Sequence, residues 1–180
     1  MIEGAAAFVA WLGASLVVLS DGRRGLSAGV GVAAVGLAGV ALEATGPIAA
    51  APLLVGGLIA AALRWRSGPP GWKVMPPGST GWLILCIASA IFGLWIAVAV
   101  MTGQGGGLRF GALVTVVMMG ARILSARGGA AGLSAAATVA LAIALSGTLG
   151  SPPPGFEIFL AGAAVAVVIT FVAPEKTDAA

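Results

Sequence analysis

Four ionisable residues lie near the ends of long apolar segments, where a charge would be able to bind or carry a solute. Glu43 and Glu157 would together bind a cation or relay a proton, because a carboxylate within a membrane is costly and often marks a site. Both also adjoin turn residues, so the alternative is a pair of carboxylates solvated at the membrane surface. Arg122 and Arg109 are candidate contacts for an anion or a lipid phosphate. Their alternative role is to extend along the helix until the guanidinium reaches the interface.

The residue types on which most enzymes depend are scarce. The chain has no histidine or tyrosine and a single cysteine, Cys86. Histidine is the commonest general base and metal ligand, and one cysteine cannot form a disulfide or a redox pair within its own chain. We therefore expect no catalytic residues, no metal site and no cofactor, and we predict that the protein is not an enzyme.

Small residues recur at helical spacing in two of the apolar segments. Gly25 and Gly29 form one such pair, and Ser89, Gly93 and Ala97 form a stripe in a later segment. Small side chains let helix backbones approach closely, which favours helix association in lipid. These residues are predicted to be helix-packing faces. The packing would lie within one bundle or, alternatively, against a partner subunit.

The composition is that of a membrane protein. Of the 180 residues, 59% are hydrophobic and 8% are charged, against roughly 25% charged residues in a soluble domain. Runs of about 20 apolar residues suffice to span a bilayer as helices. The sequence therefore predicts an all-α, polytopic transmembrane bundle that forms a single integral membrane domain over residues 1–180. Its predicted spans are 4–20, 25–44, 48–64, 81–102, 108–125, 129–149 and 155–173, with a cytoplasmic loop at 65–80.

The distribution of positive charge predicts the orientation. Eight of the nine Lys and Arg residues follow the first, third, fifth or seventh segment, and only Arg109 falls on the other side. Positive residues concentrate in cytoplasmic loops, so the N-terminus is predicted outside and the C-terminus in the cytoplasm. The net charge of +3 is spread over several gaps without a basic face, which argues against nucleic-acid binding. The abundance of Ala and Gly suggests a bacterial plasma (inner) membrane.

The fifth segment has an alternative topology. Only residues 110–121 separate its two arginines, and a stretch of 10–14 apolar residues is short enough to be re-entrant, which would leave six spans. In that case the basic residues would divide five against four between the two sides. Seven spans, which divide them eight against one, are therefore preferred.

A self-comparison at an offset of 107 residues aligns Gly25-Leu26-Ser27-Ala28 with Gly132-Leu133-Ser134-Ala135 and Pro47 with Pro154. Spans one to three and five to seven would then form a parallel repeat joined by span four, as occurs in some transporters. This layout is similar to the three-one-three arrangement of SWEET-type sugar transporters, although the Pro-Gln pairs and aromatic clamps expected of that family are not found.

Two functions remain open at the level of the sequence. The abundance of packing faces and the shortage of polar groups favour a non-catalytic subunit within a larger membrane complex of transport or bioenergetic machinery. Its partners would be the lipid bilayer and other membrane subunits, or further copies of the same chain. The alternative is a self-contained small-solute transporter built on the 3+1+3 parallel helix repeat.

Overall fold

The protein is all-helical in its computed structural model, which describes residues 2–68, 70–72, 87, 91, 105–126, 129–150 and 155–172. Six α-helices and one short 3-10 turn are found in these ranges. They are α1 (Ile2–Leu19), α2 (Arg23–Thr45), α3 (Pro47–Arg66), α4 (Gly106–Ser125), α5 (Gly129–Ser146), the 3-10 turn Gly147–Leu149 and α6 (Phe156–Phe171).

Glycine and proline account for the boundary between α2 and α3. Gly46 has a φ of 89°, a left-handed conformation that only glycine adopts at little cost. Its N–H donates to the carbonyl of Leu42, which closes the end of α2. Pro47 then opens α3 at the first helical position, where a missing N–H costs nothing. The turn between two long helices therefore needs a single residue.

The six helices form two layers of three, α1-α2-α3 and α4-α5-α6. Each helix packs against its neighbours in its own layer, and α1 lies on α4, α2 on α5 and α3 on α6. Neighbouring helices within a layer are antiparallel, as the short connections require. Helices that lie on one another across the layers run in the same direction.

A seam of small residues joins α1 to α2 along their whole length. A Cβ atom on Gly13 would overlap the backbone of Ala33, and one on Gly36 would lie 2.5 Å from the Cα of Ala10. One on Gly29 would lie 2.7 Å from the backbone nitrogen of Val17. Since these contacts involve backbone atoms, the two helices approach as closely as they do only because side chains are missing there.

Helix α4 extends over the full length of α1, and polar contacts connect the two helices at both ends. Near the start of each helix, the backbone N–H of Leu108 donates to Oε1 of Glu3 over 2.9 Å. At the other end, the guanidinium of Arg122 pairs with the carboxylate of Asp21. The 20 residues of α4 correspond to about 30 Å at 1.5 Å per residue. This segment is therefore one continuous helix that is long enough to cross a membrane.

Five of the described helices, α1 to α5, are long and apolar enough to cross a membrane when the 3-10 turn is counted with α5. Helix α6 is apolar but has only 16 residues. The predicted fourth span, 81–102, lies outside the described residues except for Ile87 and Ile91, which are helical and exposed. The chain is thus an apolar helical bundle typical of a membrane protein. The count of seven spans and the orientation of the termini stay predictions.

Candidate functional site

The two ends of the bundle differ in charge. We call the end formed by residues 20–24, 64–68 and 122–126 the arginine end, and the end formed by residues 2–4, 43–47, 105–108 and 155–157 the glutamate end. Five arginines and one aspartate lie at the arginine end, among the residues that the structure describes. The charge distribution predicts that the arginine end is cytoplasmic.

Arg122 is held inside the arginine end. Its side chain is 3% exposed, whereas the paired Asp21 is 42% exposed. The Nη2 atom of Arg122 donates to the carbonyl oxygen of Ser20 over 2.9 Å and to Oδ1 of Asp21. A buried guanidinium needs this kind of charged and hydrogen-bonded partner. Arg122 therefore joins the end of α4 to the loop between α1 and α2.

Arg64 is a second buried arginine at this end, and its surroundings are different. Its side chain is 0% exposed, and none of the described residues accepts a hydrogen bond from its Nε, Nη1 or Nη2 atoms. The helical spacing of Leu53, Gly57, Ala60 and Arg64 places all four on the face of α3 that is buried in the bundle. Arg66, two residues further on, is exposed. Burial thus follows from the position of Arg64 on the helix.

Contacts one turn to either side of Arg64 reach α2 and α5. One turn before it, the carbonyl oxygen of Ala61 accepts a hydrogen bond of 2.7 Å from the hydroxyl of Ser27 in α2. One turn after it, a Cβ on Gly68 would lie 3.5 Å from the Cβ of Ala130 in α5 and 3.6 Å from that of Arg23. The end of α3 therefore lies close to the beginnings of both α2 and α5.

The segment after α3 continues across the start of α2. The backbone N–H of Arg24 donates to the carbonyl oxygen of Gly71 over 3.3 Å, and the guanidinium of Arg24 lies 5.9 Å from the ring centre of Trp65. Gly68 and Gly71 both have left-handed φ angles, 118° and 92°. The chain thus passes directly over the arginine end as it leaves α3.

At the glutamate end, the two predicted glutamates are exposed, and Glu3 makes the polar contact. Glu43 and Glu157 form no hydrogen bond or ion pair with any described residue, and no contact brings them together. Glu157 lies in the first turn of α6, where the helix dipole favours a negative charge. Arg109 is exposed in the first turn of α4. Among the described residues of the glutamate end, Glu3 bonds across helices, as the acceptor for the free N–H of Leu108.

Few polar side chains are buried between the two ends, within the described helices. The hydroxyls of Ser134, Thr138 and Thr170 each donate to a carbonyl one turn earlier in their own helix. The hydroxyl of Thr115 and the indole Nε1 of Trp11 are buried and make no hydrogen bond with described residues. They lie at similar depth, because α1 and α4 run side by side in the same direction.

The predicted packing faces are only partly covered by the described residues. Gly25 and Gly29 face α1, and a Cβ on Gly25 would lie 2.6 Å from the Cβ of Ser20. Both glycines therefore pack within the chain. Ser89, Gly93 and Ala97 lie outside the described residues, as does Cys86.

Three residues with polar roles were not predicted from the sequence, namely Glu3, Asp21 and Arg64. No sequence pattern assigns a partner to Glu3 or Asp21, because their partners lie 105 and 101 residues away. Arg64 is one of the basic residues whose distribution predicts the orientation. Its spacing from Leu53, Gly57 and Ala60 was the available signal that it faces the bundle.

No family model matches the chain, and the searches of curated proteins and solved structures returned no match. Among the described residues, no group of three or more His, Cys, Asp or Glu side chains is arranged to hold a metal ion. Functional inference therefore depends on the geometry of the bundle itself.

Proposed function

We propose that the chain is a non-catalytic integral membrane subunit that packs within a larger membrane protein complex of transport or bioenergetic machinery in a bacterial plasma membrane. The observation that carries the proposal is the small-residue seam between α1 and α2, in which Gly13 and Gly36 bring the backbones of the two helices together. Contact of this kind is maintained at successive turns from Ala6 to Ser20. A seam so closely packed leaves no space for a solute between these helices.

The buried polar groups support the same function. A solute path through the described helices would need several donors and acceptors turned toward it, yet Ser134, Thr138 and Thr170 use their hydroxyls on their own helices. Thr115 and Trp11 are the uncharged buried polar groups left without a described partner. Ser27 uses its hydroxyl to join α2 to α3. The chain thus provides a scaffold, and polar chemistry would come from partner subunits.

The alternative function, a self-contained transporter with a 3+1+3 parallel repeat, is favoured by one observation. Helices α1 and α4 run in the same direction, as Glu3 and Asp21 contact the beginning and the end of α4 respectively. However, parallel repeats in transporters are related by an axis along the membrane normal, which would place α1 against α6 and α3 against α4. Here α1 lies on α4 and α3 on α6. The two triplets are therefore related by a translation and not by such an axis.

Photo-crosslinking in the native membrane tests the proposal. A crosslinking residue is placed at Phe8 on α1 or at Val168 on α6, both exposed apolar positions, and at the fully buried Leu141 as the control. A subunit should give a crosslink to one defined polypeptide from at least one exposed position, whereas Leu141 should react only within the chain. Reaction with lipid alone at both exposed positions would contradict the proposal.

The matched functional measurement uses the purified chain alone in vesicles. A scaffold subunit should produce no flux of ions or small polar solutes above that of protein-free vesicles. Flux that requires the chain and is lost in Glu43→Gln or Glu157→Gln would favour the transporter instead, because those carboxylates are its predicted solute or proton site.

A further inference from the structure

We propose that Arg64 anchors a binding site for a phosphate-bearing anion at the arginine end of the bundle. The inference is independent of whether the chain is a subunit or a transporter. Two observations support it. Arg64 is completely buried, and none of its three guanidinium nitrogens donates a hydrogen bond to a described residue.

Arg64 carries a charge that is buried without a partner among the described residues. Arginine stays protonated in proteins and presents five N–H donors with no acceptor. Burying an unpaired charge is strongly unfavourable. Arg122 in α4 shows the usual solution at the same end of the bundle, namely a carboxylate and a backbone carbonyl as partners. Arg64 needs an equivalent anion.

The guanidinium of Arg64 restricts the chemistry of that anion. The planar guanidinium matches phosphate and carboxylate oxygens in a two-point fork. Among the described residues of the arginine end, the only carboxylate is that of Asp21, which already pairs with Arg122. The surrounding charge is therefore an excess of arginines, including Arg23 and Arg24. An environment of this kind suits a group with more than one negative oxygen, such as a phosphate.

The helix geometry around Arg64 also favours an anion. Helices α2 and α5 both begin at this end, and a Cβ built on Gly68 would lie within 3.6 Å of a residue in each. The beginning of a helix carries a partial positive charge and free N–H groups, which favour phosphate. At the start of α2 the N-cap residue is Gly22, so no side chain accepts hydrogen bonds from the free N–H groups there. Two helix dipoles thus add to the attraction of Arg64 for an anion.

Access to Arg64 is from the membrane surface. Arg64 lies two residues before the last residue of α3, which corresponds to about 3 Å of helix. An arginine side chain is long enough to reach the interface from this depth. The guanidinium is closed off from solvent in the structure, so binding requires the Arg64 side chain to extend toward the interface.

Two sources have the required chemistry, namely the headgroup of an anionic phospholipid and free inorganic phosphate. Basic sites between transmembrane helices on the cytoplasmic side bind such headgroups. The experiment therefore uses short-chain phosphatidylglycerol, short-chain phosphatidylcholine and inorganic phosphate as three separate probes. Each is titrated into the detergent-solubilised full chain, and binding is followed by tryptophan fluorescence, since Trp65 and Trp72 lie near the site.

The matched variants are Arg64→Gln and Arg66→Gln. Each removes one positive charge from the end of α3, but Arg64 is buried and Arg66 is exposed. Loss of a charge-assisted hydrogen bond should weaken phosphatidylglycerol or phosphate binding by about tenfold to hundredfold in Arg64→Gln. Loss of an exposed charge in Arg66→Gln should weaken it by no more than about fivefold. Phosphatidylcholine should bind more weakly than phosphatidylglycerol to the wild type.

Binding of phosphatidylglycerol alone would identify the headgroup as the ligand, and binding of inorganic phosphate with the same dependence on Arg64 would identify the free anion. Absence of binding by both probes, or an equal loss of affinity in the two glutamine variants, would overturn the proposal. If Arg64→Gln does not fold, Arg64→Lys takes its place, because lysine keeps the charge but loses the fork. Undiminished affinity of a folded Arg64→Lys protein for both anions would also overturn it.

Discussion

The small-residue seam between α1 and α2 makes Gly36→Ala the most informative stability variant. The added Cβ would lie 2.5 Å from the Cα and 2.8 Å from the Cβ of Ala10, whereas carbon atoms in favourable contact are about 3.5–4.0 Å apart. The two helices must therefore separate by about 1 Å at this level. Overpacking of this kind costs about 1–3 kcal/mol. The higher helix propensity of alanine offsets up to about 1 kcal/mol of this loss of stability.

The net expectation is a loss of about 1–2 kcal/mol in the free energy of unfolding. The matched control is Gly120→Ala, since a Cβ on Gly120 has no atom within 4 Å. That variant changes the same residue type inside a helix and should be neutral or stabilised by up to about 1 kcal/mol. Unfolding of both proteins in mixed micelles, followed by circular dichroism, measures the difference. If the two substitutions changed the free energy of unfolding equally, the missing side chains of the seam would not be the reason that α1 and α2 approach so closely.

Three further substitutions test the polar contacts of α4 and its surroundings. Asp21→Asn weakens the ion pair of the buried Arg122 and should lower the free energy of unfolding by about 1–3 kcal/mol, with partial recovery in a double variant that also carries Arg122→Met. Glu3→Gln keeps an acceptor for the Leu108 N–H but removes the negative charge at the start of α4, and it should cost about 0.3–1 kcal/mol. Thr115→Val removes a buried hydroxyl that has no partner among the described residues, so stability should be unchanged or higher, since unpaired buried polar groups are unfavourable.

The control for the two carboxylate substitutions is Glu43→Gln, because Glu43 is exposed and makes no hydrogen bond with described residues. It should change the free energy of unfolding by less than about 0.5 kcal/mol. If Glu43→Gln destabilised the protein as much as Asp21→Asn does, the loss of stability would result from the change in net charge and not from loss of the contacts of α4.

The helices could be predicted from the sequence because each is a continuous apolar run bounded by Gly, Pro or charge. The prediction of 48–64 corresponds to Pro47–Arg66, and that of 108–125 to Gly106–Ser125. Long-range polar contacts could not be predicted in this way. Glu3 and Leu108 are 105 residues apart, and hydropathy contains no information about which helix lies beside which.

The arginines show a similar limit. Positive charges near helix ends have the same distribution whether they set the topology, pair with a buried acid or bind a ligand. Arg66 and Arg64 differ by two positions, yet one is exposed and the other fully buried. Helical periodicity distinguishes them, whereas a count of charges per loop does not. The helix face on which a terminal arginine lies therefore distinguishes a buried arginine from an exposed one.

Native mass spectrometry of the gently extracted protein tests the central claim most directly, namely that this chain functions as one part of a larger assembly. The account predicts particles in which the 17.4 kDa chain is accompanied by other polypeptides in a fixed ratio, and in which the exposed crosslinking positions contact those polypeptides. Particles that contain this chain alone would contradict the account.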